Sequence, residues 1–462
     1  KMKKTKTLLF LWLFTLATFA LLPEAANAYS TTVRIGIQTG THSGAIDSEA
    51  PLRCTDANGR TLSTGRRASV EMTAGKILVN GQAASLPLQF ESPRPIRWNG
   101  KPYRGSLRLV PHSAGFSVVN ILDVESYLRG VLKIEVNPAW PMEALKAQAV
   151  IARTYALRQS GRHGKEGFDL CATTHCQAYR GMAAEDPKLD RAIAETRGIV
   201  VVYGNQLAHT YYFADGAGWT ADVSTVWGGG VPYLTCRPEP VPYETPHSRW
   251  KASLTQDALQ KIMNNLKAPV GTVLDVRVAR KDAGNRVTLL EVRGTSGNAT
   301  VKGHSFRMAS GSNLIRSTLF DVVSPETGMS ASPAPIPPST PSIPVPMNAG
   351  EDPLIILTRQ GAFSSTELMD MLLHPEKRDD YIKKALSRGG NPLPSVSAVP
   401  SPPPPARSFS GTAPAVFEFR GKGWGHGVGL SQWGAKALSE NGWDYGAILR
   451  HYFPGTTLQV LR

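Results

Sequence analysis

Cysteine is scarce in this chain: four in 462 residues. That excludes a small fold stapled by disulfides, so the structure must rest on an apolar core, which the length and a hydrophobic content of 41% can supply. No HExxH, no P-loop and no adjacent Ser/His/Asp pattern occurs, which removes the commonest sequence signs of zinc proteases, nucleotide hydrolases and serine hydrolases. No basic cluster marks a groove-binding element, so nucleic acid is not expected as a partner. After the first 28 residues there is no long apolar run, and no second membrane span is expected.

The first 28 residues do contain one. Lys3, Lys4 and Lys6 precede "LLFLWLFTLATFALL", and Ala26-Asn27-Ala28 follows with a small-x-small spacing. Residues 1–28 therefore read as a secretory signal peptide, which predicts an exported protein, soluble in the periplasm or cell wall. Without the leader's Lys1, Lys3, Lys4, Lys6 and Glu24 the formal charge of +15 becomes 15 − 4 + 1 = +12, which suits an anionic partner there. In an oxidising compartment an even count of cysteines also suggests pairing.

The pattern of the chain predicts a mixed α+β fold, rich in strand. From Thr31 to about Val119 apolar and polar residues alternate, with Asn80-Gly81 and Asn99-Gly100 as hairpin turns. "PAWPMEALKAQAVIARTYALRQSG" is the clearest helix, opened by Pro141 and closed before Gly161. Leu145, Ala149, Ala152 and Ala156 share one face, while Val150, Ile151 and Leu157 fall on others, so this central helix should be buried on more than one side. Lys146 and Arg153, seven apart, lie on one stripe, either on a solvated face or pointing into a cleft that holds an anionic group. Further on, a helix is expected from Asp186, hairpins at Gly204-Asn205 and within 273–294, and a helix over "LTQDALQKIMNNL". Proline-rich text flanks residues 325–413, which read as an insertion, partly helical or without a core. The expected organisation is 1–28 leader, 29–324 main part, 325–413 insertion and 414–462 completing the same domain.

Three groups could carry chemistry. Glu135 lies between Ile134 and Val136 before a proline turn, where desolvation would raise its pKa toward that of a general acid; a salt-bridged structural carboxylate is the other reading. No second acid is evidently paired with it. "LCATTHCQAY" places Cys171, His175 and Cys176 within six residues, with His163 shortly before. A tetrahedral zinc site and a Cys171–Cys176 disulfide both fit. Last, "GKGWGHGVGLSQWGA" (421–435) alternates glycine with Trp424 and His426 and goes on to Ser431, Gln432 and Trp433. Bare glycines would let a polymer approach the backbone, and the indoles could stack on sugar rings. A saccharide cleft is the expectation.

That stretch, with "YGAILRHYFPGT" after it, closely resembles the C-terminal signature of the SpoIID/LytB family, the stage II sporulation protein D and amidase-enhancer group. "YLRGVLKIEVNPAWPMEALKAQAVIARTYAL" resembles the family's other signature, and "VWGGGVPYL" a third, weaker one. The resemblance covers about Val33–Ser324 and Val416–Leu461. It implies a lytic transglycosylase acting on peptidoglycan glycan strands stripped of stem peptides, with Glu135 as acid/base. It implies supporting contacts from Lys146 and Arg153 and a further cleft contact from Tyr211 or Tyr212, beside the saccharide contacts expected above from Trp424, His426, Ser431 and Gln432. It also implies a structural zinc at Cys171, Cys176, His163 and His175, no cofactor being required for the reaction. The non-catalytic alternative within the family is a wall-binding activator of an N-acetylmuramoyl-L-alanine amidase. The chain departs from the family at "FADGAGWT", where Asp215 and Trp219 stand beside the expected cleft.

Overall fold

The computed structural model describes residues 31–323, 379–383 and 416–461. The expected leader, and the expected insertion apart from helical residues 379–383, lie outside the described residues. The architecture is α+β.

Two antiparallel sheets build the N-terminal part. In the first, Thr32–Thr41 pairs with Gly115–Asp123, which pairs in turn with Ser106–His112. The short strand Leu170–Cys171 joins its edge in parallel with Thr32–Thr41. In the second, Ser43–Ser48 and Arg67–Thr73 form the middle. Its hairpins turn where expected, with Asn80 at φ 49° and Asn99 at φ 48°, each followed by a left-handed glycine. Alternate residues, among them Val33, Ile35, Leu88, Phe90, Leu107, Leu109 and Phe116, face one core.

The chain then becomes helical. Asp123 caps α1 (Val124–Arg129) through Glu125 and Ser126 N–H. A single turn, α2 (Leu132–Glu135), follows; its C-cap Val136 is extended. Pro141 caps α3 (Met142–Arg158). Every residue from Ala147 to Tyr155 is buried, including Gln148, Arg153 and Thr154. The reason is that α3 separates two cores. Leu145, Ala149, Ala152 and Ala156, the predicted face, pack on the N-terminal sheets. Ala147, Val150 and Ile151 pack on a second core with Val201, Val428, Leu430, Ala435, Ile448 and Phe453. Asp186 caps α4 (Pro187–Glu195), which lies against α3.

Residues 250–323 add a third core that the sequence pattern did not set apart. The strands Val273–Lys281, Val287–Gly294 and Gly297–Lys302 form one sheet. Trp250–Thr255 and Phe320–Val323 form another, with Val416–Gly421 hydrogen-bonded between them. Phe306, Phe320, Phe417 and Phe419 sit at its centre. The described C-terminal residues therefore serve more than one core: Phe417 and Phe419 belong to the third, most buried apolar residues from Val428 onward to the second, and Trp433 and Leu461 pack against the first. The glycine-rich stretch is the crossing from the third to the second.

Candidate active site and cysteine–histidine cluster

Glu135 ends the short turn of α2. Its carboxyl is partly buried and meets Tyr212, on the strand Tyr212–Phe213, and the backbone N–H of Ala178. Dehydration pushes its pKa up to about 6; the hydrogen bonds from Tyr212 and Ala178 partly oppose this. Neither partner is a cation, so the salt-bridged reading does not describe this group. A carboxyl poised near neutral pH, with a phenol and an amide for company, can hold a proton and release it.

The Glu135 main chain is fixed by the C-terminal motif. Gln432 Nε2 donates to Glu135 O (3.1 Å) and lies 3.4 Å from Gln148 Oε1 on α3. Ser431 caps α5 (Gln432–Glu440) by accepting from Gly434 N–H, and its Oγ also accepts from Gly216 N–H at 3.0 Å. Trp433 packs on Trp140 with ring centroids 5.2 Å apart. These contacts tie the two family-like signatures together around Glu135.

Other expected substrate contacts are taken by the protein itself. Arg153 is fully buried and closes a bidentate pair with Glu125 (2.8 and 2.7 Å), with further bonds to Ile199 O and Ile193 O. It offers no surface to a ligand: the polar stripe belongs to a core ion pair, not to a cleft. Lys146 bonds Glu143 and Glu195, each at 2.8 Å, and so joins α3 to α4. His426 Nε2 donates to Tyr212 O (3.1 Å) while its Nδ1 accepts from Val428 N–H (3.0 Å), a neutral tautomer that burial holds at a pKa of about 3. It braces the strand carrying Tyr212. Ser431 and Gln432 are likewise buried and committed. Tyr212 touches the acid, whereas Tyr211, just before the strand, stacks on His209 and meets Trp227 edge-on. Trp424 stays partly exposed beside His247, with Arg316 over its ring at 5.3 Å.

The glycines have a different purpose from the expected one. Gly423, Gly425, Gly427 and Gly429 all have positive φ. A Cβ on Gly425 would lie 2.6 Å from Phe213 Cβ, and one on Gly429 would strike Tyr211 O. Neighbouring N–H groups are consumed internally: Trp424 N donates to Asp215 O, Gly425 N to Arg316 O, and Leu430 N to Tyr211 O. The bare backbone is there to lie close against residues 211–221, which carry Tyr212, and not to receive a polymer. Asp215, at the family departure, is itself buried and accepts from Thr245, Tyr243 and Ala217.

The loop after Leu170 gathers the cluster. One donor atom from each of His163, Cys171, His175 and Cys176 lies within 4.8 Å of all the others. Three sulfur–nitrogen edges measure 3.4, 3.6 and 3.6 Å. A tetrahedral zinc with ordinary Zn–S and Zn–N bonds has sulfur–nitrogen edges of about 3.6 Å, so the donor set fits such an ion. His163 Nδ1 lies 2.6 Å from Glu166 Oε1, which leaves Nε2 toward the cluster, as in a carboxylate–histidine–metal arrangement. Burial pushes the Cys176 thiol up to about 12; at Cys171 the hydrogen bonds of Thr173 and Cys176 outweigh burial, and the thiol falls below its usual value. Both are separate thiols in the structure.

Gln177, Ala178 and Tyr127 were not singled out by the sequence reading. Gln177 and Ala178 directly follow Cys176, and only that adjacency could have signalled them. Tyr127 opens the signature "YLRGVLKIEVNPAW", but nothing in that stretch gave it a role.

Residues 112–203 match the family described as SpoIID, stage II sporulation protein. An uncharacterised protein of Brachyspira hyodysenteriae is 30% identical over 247 residues, 52% of this chain and 64% of that protein. The amidase enhancer of Bacillus subtilis is 27% identical over 341 residues (72% and 40%), and its stage II sporulation protein D 27% over 224 residues (44% and 62%). The chain thus spans between 40% and 64% of the length of these relatives. It is a relative of the SpoIID and amidase-enhancer proteins, and the matched segment contains Glu135, α3 and all four members of the cysteine–histidine cluster.

Proposed function

We propose that this is an exported cell-wall protein that cleaves the bond between N-acetylmuramic acid and N-acetylglucosamine in peptidoglycan as a lytic transglycosylase, on strands lacking stem peptides. The observation that carries the reading is Glu135, a partly dehydrated carboxyl with a pKa of about 6 and no cation among the groups that shift it. Hydrolysis of a glycoside usually employs two carboxyl groups. Transglycosylation can proceed with one. Glu135 protonates the leaving glycosidic oxygen. The muramyl 6-hydroxyl then attacks its own anomeric carbon and returns its proton to Glu135, which closes a 1,6-anhydro ring and regenerates the acid. The nucleophile is already part of the substrate, so its positioning costs little entropy.

His163, Cys171, His175 and Cys176 would hold a zinc whose closed ligand set supplies structural cross-linking of the loop that carries Gln177 and Ala178. The chemistry stays with Glu135. Metal analysis of the purified protein, with thiol titration before and after chelation, tests this part. Two free thiols and no metal in the native protein would remove it.

A second reading is a wall-bound activator of an amidase. The length of alignment favours it: the amidase enhancer aligns with 72% of this chain, against 44% for stage II sporulation protein D. One experiment separates the two. The protein is incubated with denuded glycan strands without an amidase, and products are weighed by mass spectrometry. Anhydromuramyl ends, lighter by one water than hydrolytic ends, support the transglycosylase. Intact strands, together with stimulation of an added amidase, support the activator.

A further inference from the structure

The loop that follows the cysteine–histidine cluster reaches Glu135 twice. Ala178 donates its N–H to the carboxyl directly. Gln177, almost fully buried at 1% exposure, reaches it through Tyr212: Gln177 Nε2 lies 3.2 Å from Tyr212 Oη. On its other side Tyr127 Oη lies 3.2 Å from Gln177 Oε1.

The chemistry of the neighbours fixes the direction of every bond in this chain. Gln177 Nε2 also faces the carbonyl oxygen of Ala152 at 3.5 Å. A carbonyl can only accept, so the amide nitrogen must be on that side. Oε1 then faces Tyr127, whose hydroxyl donates to it. Nε2 donates to Tyr212 Oη, which leaves the Tyr212 proton free for the Glu135 carboxyl. Had the amide been reversed, its oxygen would face the Ala152 carbonyl and draw the Tyr212 proton away from the acid.

We propose that Gln177 is a positioning residue for the acid: it sets the hydrogen-bond polarity Tyr127→Gln177→Tyr212→Glu135, so that the Tyr212 hydroxyl is presented to Glu135 as a donor and supports the carboxylate left after proton transfer. The inference rests on the reading of Glu135 as acid/base. The titratable side chains that act on this network besides Glu135 are Tyr127 from α1, Tyr155 from α3, Cys176 and Tyr179 from the loop that holds Gln177, and Tyr212 from its strand, all raised above their usual values by burial. Cys176 acts on Tyr127, whereas the groups that act on Tyr212 are Glu135, the Gln177 amide and the phenols Tyr155 and Tyr127, neutral at neutral pH, so the polarity of the amide decides how Tyr212 is used.

The test is the isosteric change Gln177→Glu, with Tyr127→Phe as the second variant. A carboxylate at 177 accepts from both phenols and turns the Tyr212 proton away from Glu135. The Glu135 carboxyl is followed by carbon-13 NMR titration of the purified protein and assigned by its disappearance in Glu135→Gln. Its midpoint should rise by at least about one unit in Gln177→Glu, the scale of losing a hydrogen bond and gaining a like charge. Tyr127→Phe should move it the same way by less. In turnover of denuded strands, the high-pH limb of kcat/KM should move up with the titration. kcat should fall by about 10-fold or more, while KM stays nearly constant. A merely structural glutamine would lower the melting temperature without moving either midpoint. An unmoved Glu135 titration in folded Gln177→Glu overturns the proposal. If that variant does not fold, an unmoved titration in Tyr127→Phe does so. Should the wild type cleave no glycan, the proposed reaction fails, but the NMR titration still decides the polarity of the network.

Discussion

Glu135 and Arg153 lie 18 positions apart on neighbouring helices, and each takes an ionisable group out of water. Their surroundings are opposite. Arg153 is fully buried in α3 and has a carboxylate plus backbone carbonyls arranged around its guanidinium. Glu135 ends a single turn, only partly buried, with a phenol and one amide. A charge that is buried and fully paired is structural, since its protonation never needs to change. A carboxyl that is buried and under-compensated has its pKa moved toward the pH at which proton transfer is useful. The comparison shows that a polar residue on a conspicuous helix is identified by its partners, not by its position in a stripe.

The largest effect should come from breaking the compensated side. Arg153→Ala takes the guanidinium from the Glu125 carboxylate, which keeps the Gly198 N–H, and from the carbonyls of Ile193 and Ile199. Removing one member of a buried ion pair costs about 3–5 kcal/mol. We expect Arg153→Ala to be insoluble or to melt far below the wild type. Arg153→Met combined with Glu125→Gln, which removes both charges, should recover much of the loss. Chemical denaturation measures both. Near-wild-type stability of the single variant would show that the guanidinium is not needed in the core.

The uncompensated side should respond in the reverse sense. Glu135→Gln keeps size and hydrogen bonding, and should reduce glycan cleavage at least about 10²-fold, the usual scale for a missing general acid/base. It should also stabilise the fold, and the sign depends on pH. The native pKa of about 6 lies above the ordinary 4.5, so the unfolded chain ionises first as pH rises. The Glu135 contribution to stability therefore falls between about pH 4.5 and 6 and stays lower above that range. A shift of this size corresponds to about 2 kcal/mol. Glu135→Gln should thus melt above the wild type at pH 7.5 and with it at pH 4. Equal melting at both pH values would mean that the carboxyl is not dehydrated in solution.

How much of this could be read from the sequence follows from the same contrast. Local signals were legible: the Asn-Gly hairpins, the Asp186 cap, the Pro141 start and the four-three-four apolar face of α3. Glu135 was legible because its apolar neighbours and proline turn are adjacent in the chain. Pairings over long separations were not. Nothing near Arg153 announces Glu125, 28 residues away, and nothing near Gln177 announces Tyr212 and Tyr127. The glycines were noticed but misread, because their partners at 211–221 are some 200 positions distant. The third core escaped notice because one of its strands, Val416–Gly421, is supplied from beyond residues 324–415.

That last strand sets up the smallest expected effect. Residues 325–407 interrupt the third core, and the question is whether they matter to either site. Val323 lies opposite Glu418, and Val322 opposite Phe419, in an antiparallel pair. The two ends of the excursion are therefore one strand spacing apart, close enough for a short hairpin loop to join them. We expect a chain with 325–407 replaced by a few Gly and Ser residues to fold, to keep the Glu135 titration near pH 6 and to unfold cooperatively. Shortening the closed loop should change stability by no more than about 2 kcal/mol, in the favourable direction, because closure entropy grows only with the logarithm of loop length. A molten or insoluble product would show that the excised residues belong to the third core. A cooperatively folded product with a displaced Glu135 titration would show instead that they bear on the site.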